Sequence, residues 1–341
     1  MCGWVRHPGC RRPAQAGQGW CADLGFADTA AHCHDERVLD LDLLLDADSR
    51  DRLVARFGEG GHAWLAALPG LVELCCQRWH LELDEVVPRD GCCVFIGRQY
   101  DARGVVLKLT PDLAIAAAEA LALRAWAGTA HVVDLIDAKL DAGALLLEKI
   151  EPGTRVVDQP ELPEASEMAE LLTGLRCAPG DYVGQLPTLA KRMDALFSLT
   201  GRLLSNPRVG PLVAPSLLAH GHRLARELAA AGGAPGLLHG DLHLSNILQG
   251  GPGRGLVAID PGPRLGDLAW DAIEWTLGRA TSTAEIHDRA GQLCALVPAL
   301  DRDRLWRWCQ ATAAAIAVLQ LRRRPPDDTT RLLLQLAATT A

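Results

Sequence analysis

Three side chains in the C-terminal half of this chain are of the right kind and order to move a phosphoryl group. Asp241 and Asn246 lie in the run His239-Gly240-Asp241-Leu242-His243-Leu244-Ser245-Asn246, and Asp260 follows in Val257-Ala258-Ile259-Asp260-Pro261, beyond a glycine-rich turn at residues 250–255. A hydroxyl attacking the terminal phosphate of ATP must be oriented and must lose its proton late, which asks for one carboxylate within hydrogen-bond reach. Asp241 is the candidate. The triphosphate must also be neutralised as the leaving group departs. Mg²⁺ does this from carboxylate or amide oxygens while keeping several waters, and Asn246 and Asp260 offer such oxygens. The apolar residues on either side, Gly236-Leu237-Leu238, Ile247-Leu248 and Leu256-Val257-Ala258-Ile259, read as short buried strands that hold the loop.

The order Asp, four residues, Asn, then a second Asp past a hairpin is that of protein-kinase catalytic loops, and it predicts an upstream lobe with a Lys on a strand and a Glu on the next helix. Gly104-Val105-Val106-Leu107-Lys108-Leu109 is a β-rich run preceded by a second at Cys92-Cys93-Val94-Phe95-Ile96, with a hairpin turn from Tyr100 to Gly104 between them. Lys108 is the candidate for the nucleotide's phosphates. Thr110 is read as the N-cap of the helix that follows, with Pro111 at its first position and its end near Trp126. Within it Glu119 is the only acid beyond the first turn, so a partner such as Lys108 is expected. The strand Ala144-Leu145-Leu146-Leu147-Glu148-Lys149-Ile150 is read as the link between lobes, offering main-chain groups to adenine around Glu148 and Ile150. A phosphate-covering loop is poorly marked: Asp90-Gly91-Cys92-Cys93 and Gly97 make no Gly-x-Gly-x-x-Gly.

Joined to Gly266-Asp267-Leu268-Ala269-Trp270-Asp271 and Trp275, these motifs resemble the aminoglycoside phosphotransferases, and more narrowly the streptomycin 6-kinase and hydroxyurea kinase branch. Similar features continue upstream through Gly61-His62-Ala63-Trp64-Leu65, Leu68-Pro69, Arg78-Trp79, Leu81, Trp126 and Leu146-Leu147-Glu148. The resemblance implies an α+β, two-lobed protein-kinase-like fold with a β-rich N-terminal lobe and a helical C-terminal lobe. It also implies ATP as donor, Mg²⁺, and a hydroxyl of a small cationic antibiotic, streptomycin-like, as acceptor. Asp241 would be the catalytic base, Asn246 and Asp260 would hold the metal, and Lys108, Glu119, Glu148 and Ile150 would serve the nucleotide.

Departures from protein kinases narrow the class. Gly240 stands where they carry the Arg that reads a phosphorylated activation loop, and only a few residues separate Pro261 from a helix expected near Asp267. No room is left for a phosphorylatable switch. Asp267 is read as an N-cap, and Asp271 and Glu274 either serve structure or touch a cationic acceptor. His239 and His243 are read as packing residues, since neither has metal-ligand spacing to a Cys or acid.

Composition agrees with a small-molecule enzyme. The chain has 341 residues, enough for two cores, and a net charge of -8 that disfavours nucleic acid and would steer a cationic acceptor. The 11 cysteines are read as reduced, with Cys75-Cys76 and Cys92-Cys93 as small buried hydrophobes. Met1 to Pro8 hold no apolar core of signal length, and Ala311 to Leu321 is too short to cross a bilayer, so a cytoplasmic protein without membrane contact is expected. It is expected to act as a monomer. Residues 1–45 are read as an extension outside the fold, 46–150 as the nucleotide-binding lobe and 151–341 as the catalytic and acceptor-binding lobe. In that second lobe Leu189 to Leu204, Ser216 to Ala231, Asp267 to Leu277, Ala284 to Val297, Arg302 to Leu321 and Thr329 to Ala338 repeat apolar residues at helical spacing. Pro160 to Pro187 is read as a flexible entry to it.

Overall fold

A computed structural model of the chain describes residues 45–89, 91–176, 184–231 and 236–339. The N-terminal segment with its Cys and His residues lies outside the described residues. Leu45, placed by sequence in the extension, is instead 1% exposed in the first core. Two helices follow. Asp46 caps α1 (Ala47–Phe57) by accepting from the Ser49 N–H, and α2 (Glu59–Trp79) buries Leu65, Leu68, Val72, Cys75 and Trp79 along one face.

Strands β1 (Leu81–Arg89), β2 (Cys92–Gln99) and β3 (Gly104–Leu109) form an antiparallel meander. After helix α3 (Leu113–Ala125), β4 (Leu135–Lys139) and β5 (Ala144–Glu148) complete a five-stranded sheet of order β1-β2-β3-β5-β4. Alternation along β3 decides what each face does. Val105, Leu107 and Leu109 join the core built on α2, while Lys108, paired in register with Val94 and Leu145, turns to the other face. That is also the face of Leu145, Leu147, Ala120 and Leu123, so Lys108 and α3 meet. The α3 cap differs from expectation. Asp112 caps the helix by accepting at Oδ1 from the N–H groups of Ala114 and Ile115, and its negative charge suits the positive helix end. Thr110 instead donates to Gly91 O at 3.2 Å and accepts from the Asp112 N–H.

Beyond Ile150 the chain is mainly helical. The stretch expected to be flexible contains α4 (Ala165–Gly174), which buries Met168, Leu171 and Leu172; residues 177–183 of that stretch lie outside the described residues. Helices α5 (Leu189–Leu203) and α6 (Pro215–Ala230) precede two short antiparallel strand pairs, the second nested within the first. In these, β6 (Gly236–Leu238) pairs with β9 (Arg264–Gly266), and β7 (Ile247–Gln249) pairs with β8 (Leu256–Ala258). A 3-10 turn at Leu268–Ala272 leads into α7 (Ile273–Leu277), then α8 (Thr283–Leu296), α9 (Arg302–Arg323) and α10 (Asp328–Ala338). α9 is apolar nearly all round, with Trp308, Cys309, Ala311 and Ala313 to Ala315 at 0% exposure, and forms the axis of the lobe. Among the described residues no helix is long and apolar enough to cross a membrane. The described cysteines are free thiols, and burial pushes Cys93 up to about 12.

Candidate active site

β6 ends at Leu238 and the chain passes into the loop 239–246, which side chains rather than a ladder hold in place. The Asp271 carboxylate, 5% exposed, accepts from the His239 N–H at 2.7 Å and the Gly240 N–H at 2.9 Å. Burial pushes its pKa up to about 7 against the pull of those two donors. Trp270 Nε1–H donates to Gly240 O at 3.2 Å from the same turn. Asp271 is therefore spent on the loop and does not face an acceptor.

His239 is fully buried, stacks on Trp126 at 6.4 Å, and places Nε2 3.0 Å from Ile259 O. Burial drives its pKa down to about 4, so it is neutral and donates through Nε2. It fastens the loop to the residue before Asp260, the structural role expected of it. Gly240 has φ 78°, and a Cβ there would lie 2.2 Å from Gly262 O. No arginine fits at this position.

These restraints gather the candidates named from sequence. Asp241 is half-buried; burial raises its carboxyl, but the His243 and Arg192 cations outweigh that and hold it below the usual range. Asn246 donates from Nδ2 to Asp241 O at 2.9 Å, and its own carbonyl accepts from the Ile259 N–H, which leaves Oδ1 to act as a ligand. Asp260 ends the β7–β8 hairpin with φ 57°, a conformation Asp tolerates. Its Oδ1 contacts the Lys108 ammonium, which also meets Glu119 Oε2 at 2.6 Å. Burial opposes charge on Lys108, yet two carboxylates against one ammonium keep it protonated. The carboxylate of Asp260 and the amide oxygen of Asn246 form an all-oxygen set suited to Mg²⁺. Among the described residues no cluster of three His, Cys, Asp or Glu gathers as a metal site.

At the interlobe link the Glu148 side chain is bound elsewhere. Arg254 donates to both its oxygens and the Asp134 N–H donates to Oε1 at 2.8 Å, so the Glu148 side chain locks the link to the β7–β8 turn, while its own N–H donates to Asp134 O at 3.1 Å. Neither main-chain polar group of Ile150 has a hydrogen-bond partner among the described residues. His243 departs from the packing role expected of it. Its Nε2 lies 3.3 Å from Asp241 Oδ1 and its Nδ1 3.5 Å from Glu274 Oε2, and these contacts raise its pKa to about 10. Lys108, Glu119, Asp241 and Asp260 line one cleft of about 830 Å³, to which Arg56, Arg89, Arg192 and Arg264 add positive charge; Asn246, His243, Glu148 and Ile150 are not part of its lining.

A model of the aminoglycoside/hydroxyurea antibiotic resistance kinases matches residues 78–323. The chain belongs to that family. The chain is 30% identical over 266 residues to a streptomycin 6-kinase of Streptomyces griseus, covering 74% of this chain and 83% of the relative. A hydroxyurea phosphotransferase of Kitasatospora aureofaciens is 29% identical over 263 residues, or 74% of this chain and 72% of that one. Among solved structures, a choline kinase of Streptococcus pneumoniae superposes with a TM-score of 0.54 at 13% identity, over 79% of this chain and 97% of its own. That likeness shows the two-lobed kinase fold. The cleft arginines of this family member escaped sequence reading because none belongs to a spaced motif. Arg192 sits on α5 and Arg264 opens β9, and only folding brings them to Asp241.

Proposed function

We propose that this kinase transfers the γ-phosphate of ATP to a hydroxyl of streptomycin or a related aminocyclitol antibiotic, yielding ADP and the phosphorylated drug. The observation that carries the reading is the convergence of Asp241, Asp260 and the Lys108–Glu119 pair on one cleft, with Asn246 hydrogen-bonded to the main chain of Asp241 beside it, in a chain 30% identical to a streptomycin 6-kinase. Asp241 accepts a hydrogen bond from the acceptor hydroxyl and takes its proton as the bond to phosphorus forms; a carboxylate held ionised is a weak base, which suits late proton loss. Lys108, aligned by Glu119, meets the donor's phosphates, and the free main-chain groups of Ile150 meet adenine. Asn246 and Asp260 would hold Mg²⁺, which when bound would neutralise charge on the departing ADP. His243, between Asp241 and Glu274, fixes the direction of the base. Dependence on cellular ATP places the enzyme in the cytoplasm.

The hydroxyurea phosphotransferase relative supports a second acceptor of the same class. Purified enzyme with ATP, Mg²⁺ and separate aminoglycosides, hydroxyurea or a peptide mixture decides between them by the mass of each acceptor. Gain of one phosphate on streptomycin is expected. Gain on hydroxyurea alone would transfer the assignment, and labelling of peptides alone would refute it.

A further inference from the structure

Most cations of the cleft are already engaged. Lys108 sits between Glu119 and Asp260, Arg192 lies 3.8 Å from Asp241, and Arg264 donates to Pro263 O at 2.8 Å. Arg56 and Arg89 line the same cleft beside Gly91, and neither has an acidic partner among the described residues. Arg56 is the better fixed of the two. It lies in the last turn of α1, whose Leu53 is 1% exposed in the N-terminal core, and its Cζ is 5.3 Å from the centre of the Phe57 ring. Its guanidinium rests on the turn between β1 and β2: a Cβ on Gly91 would fall 2.7 Å from Nη1 and 2.8 Å from Cζ. Gly91 is itself tied to Thr110, two residues beyond Lys108, by the Thr110 hydroxyl. The side chain missing at Gly91 is thus the space the guanidinium occupies.

Kinase folds cover the nucleotide's phosphates with this turn, and a glycine-rich sequence lets its main-chain N–H groups curl into an anion site. Here the turn lacks the glycines to do so. We propose that Arg56, resting on Gly91, binds a β-phosphate oxygen of the nucleotide donor, so that a helix outside the sheet supplies the contact a glycine-rich loop would make. The proposal rests on the nucleotide-donor reading above. A guanidinium suits the task because its planar fork offers parallel donors to phosphate and stays charged at every working pH.

Titration calorimetry of Mg²⁺ with ATP, ADP and AMP tests this in the whole chain. Arg56→Ala should weaken ATP and ADP about tenfold, as loss of one charge-assisted contact would, and leave AMP within about twofold. Arg56→Lys should fall between, keeping charge but not the fork. The side chain is exposed, so the Tm of the free protein should not move. Equal weakening of all three nucleotides, or none of any, overturns the proposal. If the unaltered protein binds none of the three, the donor reading itself fails and the Arg56 assignment falls with it, a result distinct from loss in the variant alone.

Discussion

At Asp241 one carboxylate is asked both to stay ionised and to accept a proton, and its neighbours set the balance. Burial alone would favour the neutral acid; His243 and Arg192 reverse that. Replacing His243 by Gln removes a cation from 3.3 Å, so the Asp241 pKa should rise and the acid limb of the kcat/KM profile should move to higher pH. An unmoved limb would mean that His243 does not govern the base. Asp260 belongs to the proposed metal half of the site. Asp260→Ala should abolish the Mg²⁺ dependence of nucleotide binding, and calorimetry showing ATP bound equally well with and without Mg²⁺ is the expected result. Retention of the Mg²⁺ enhancement would shift the ligand role to another residue. Both acids were legible in sequence because their spacing to Asn246 follows from local chain geometry. His243 was misread as packing because its meaning depends on Glu274, which α7 brings in from another element.

Elements position the loop, and the turn before α7 does most of it. Asp271 satisfies two successive main-chain N–H groups of the catalytic loop from a fully buried position. Asp271→Ala would leave those donors buried and unpaired, at a cost of about 1–3 kcal/mol each, so Tm should fall and kcat should drop more than KM for ATP rises. Asp271→Asn, able to accept from one donor, should recover part of both. Unchanged Tm and kcat in the Ala variant would show the loop to be held otherwise. The helices of the C-terminal lobe and the strands around Asp241 were legible from apolar periodicity. α1, α2 and α4 were not: the first two were noted only for family-like residues, and α4 lies in a Pro-rich stretch whose few apolar residues disguise a buried face. The α3 cap went to Asp112, directly before the helix, rather than to Thr110, whose hydroxyl is bonded to Gly91 O.

For the molecule as a whole, burial of His239 adds an acid-sensitive contribution to stability, one that the raised carboxyl of Asp271 opposes. The folded pKa of His239, about 4, lies below the usual 6.5, so the stability it contributes is present above pH 6.5 and is lost as pH falls toward 4. The loss amounts to roughly 3 kcal/mol across that window. His239→Gln, which keeps an amide donor for Ile259 O, should show a smaller fall in urea midpoint between pH 7 and pH 4.5 than the unaltered chain. A fall of equal size would assign acid sensitivity to other groups. The division into a sheet-based and a helical lobe was legible in outline, yet the cleft's charge was not, since its arginines come from α1, β1, α5 and β9.

The most direct measurement compares the unaltered chain with Asp241→Asn, each given ATP, Mg²⁺ and streptomycin, following both phosphostreptomycin by mass and ATP affinity. The account predicts phosphorylation by the unaltered chain and turnover lower by on the order of 10²–10⁴ in the variant, with ATP affinity nearly unchanged. Near-normal turnover by the variant would contradict it.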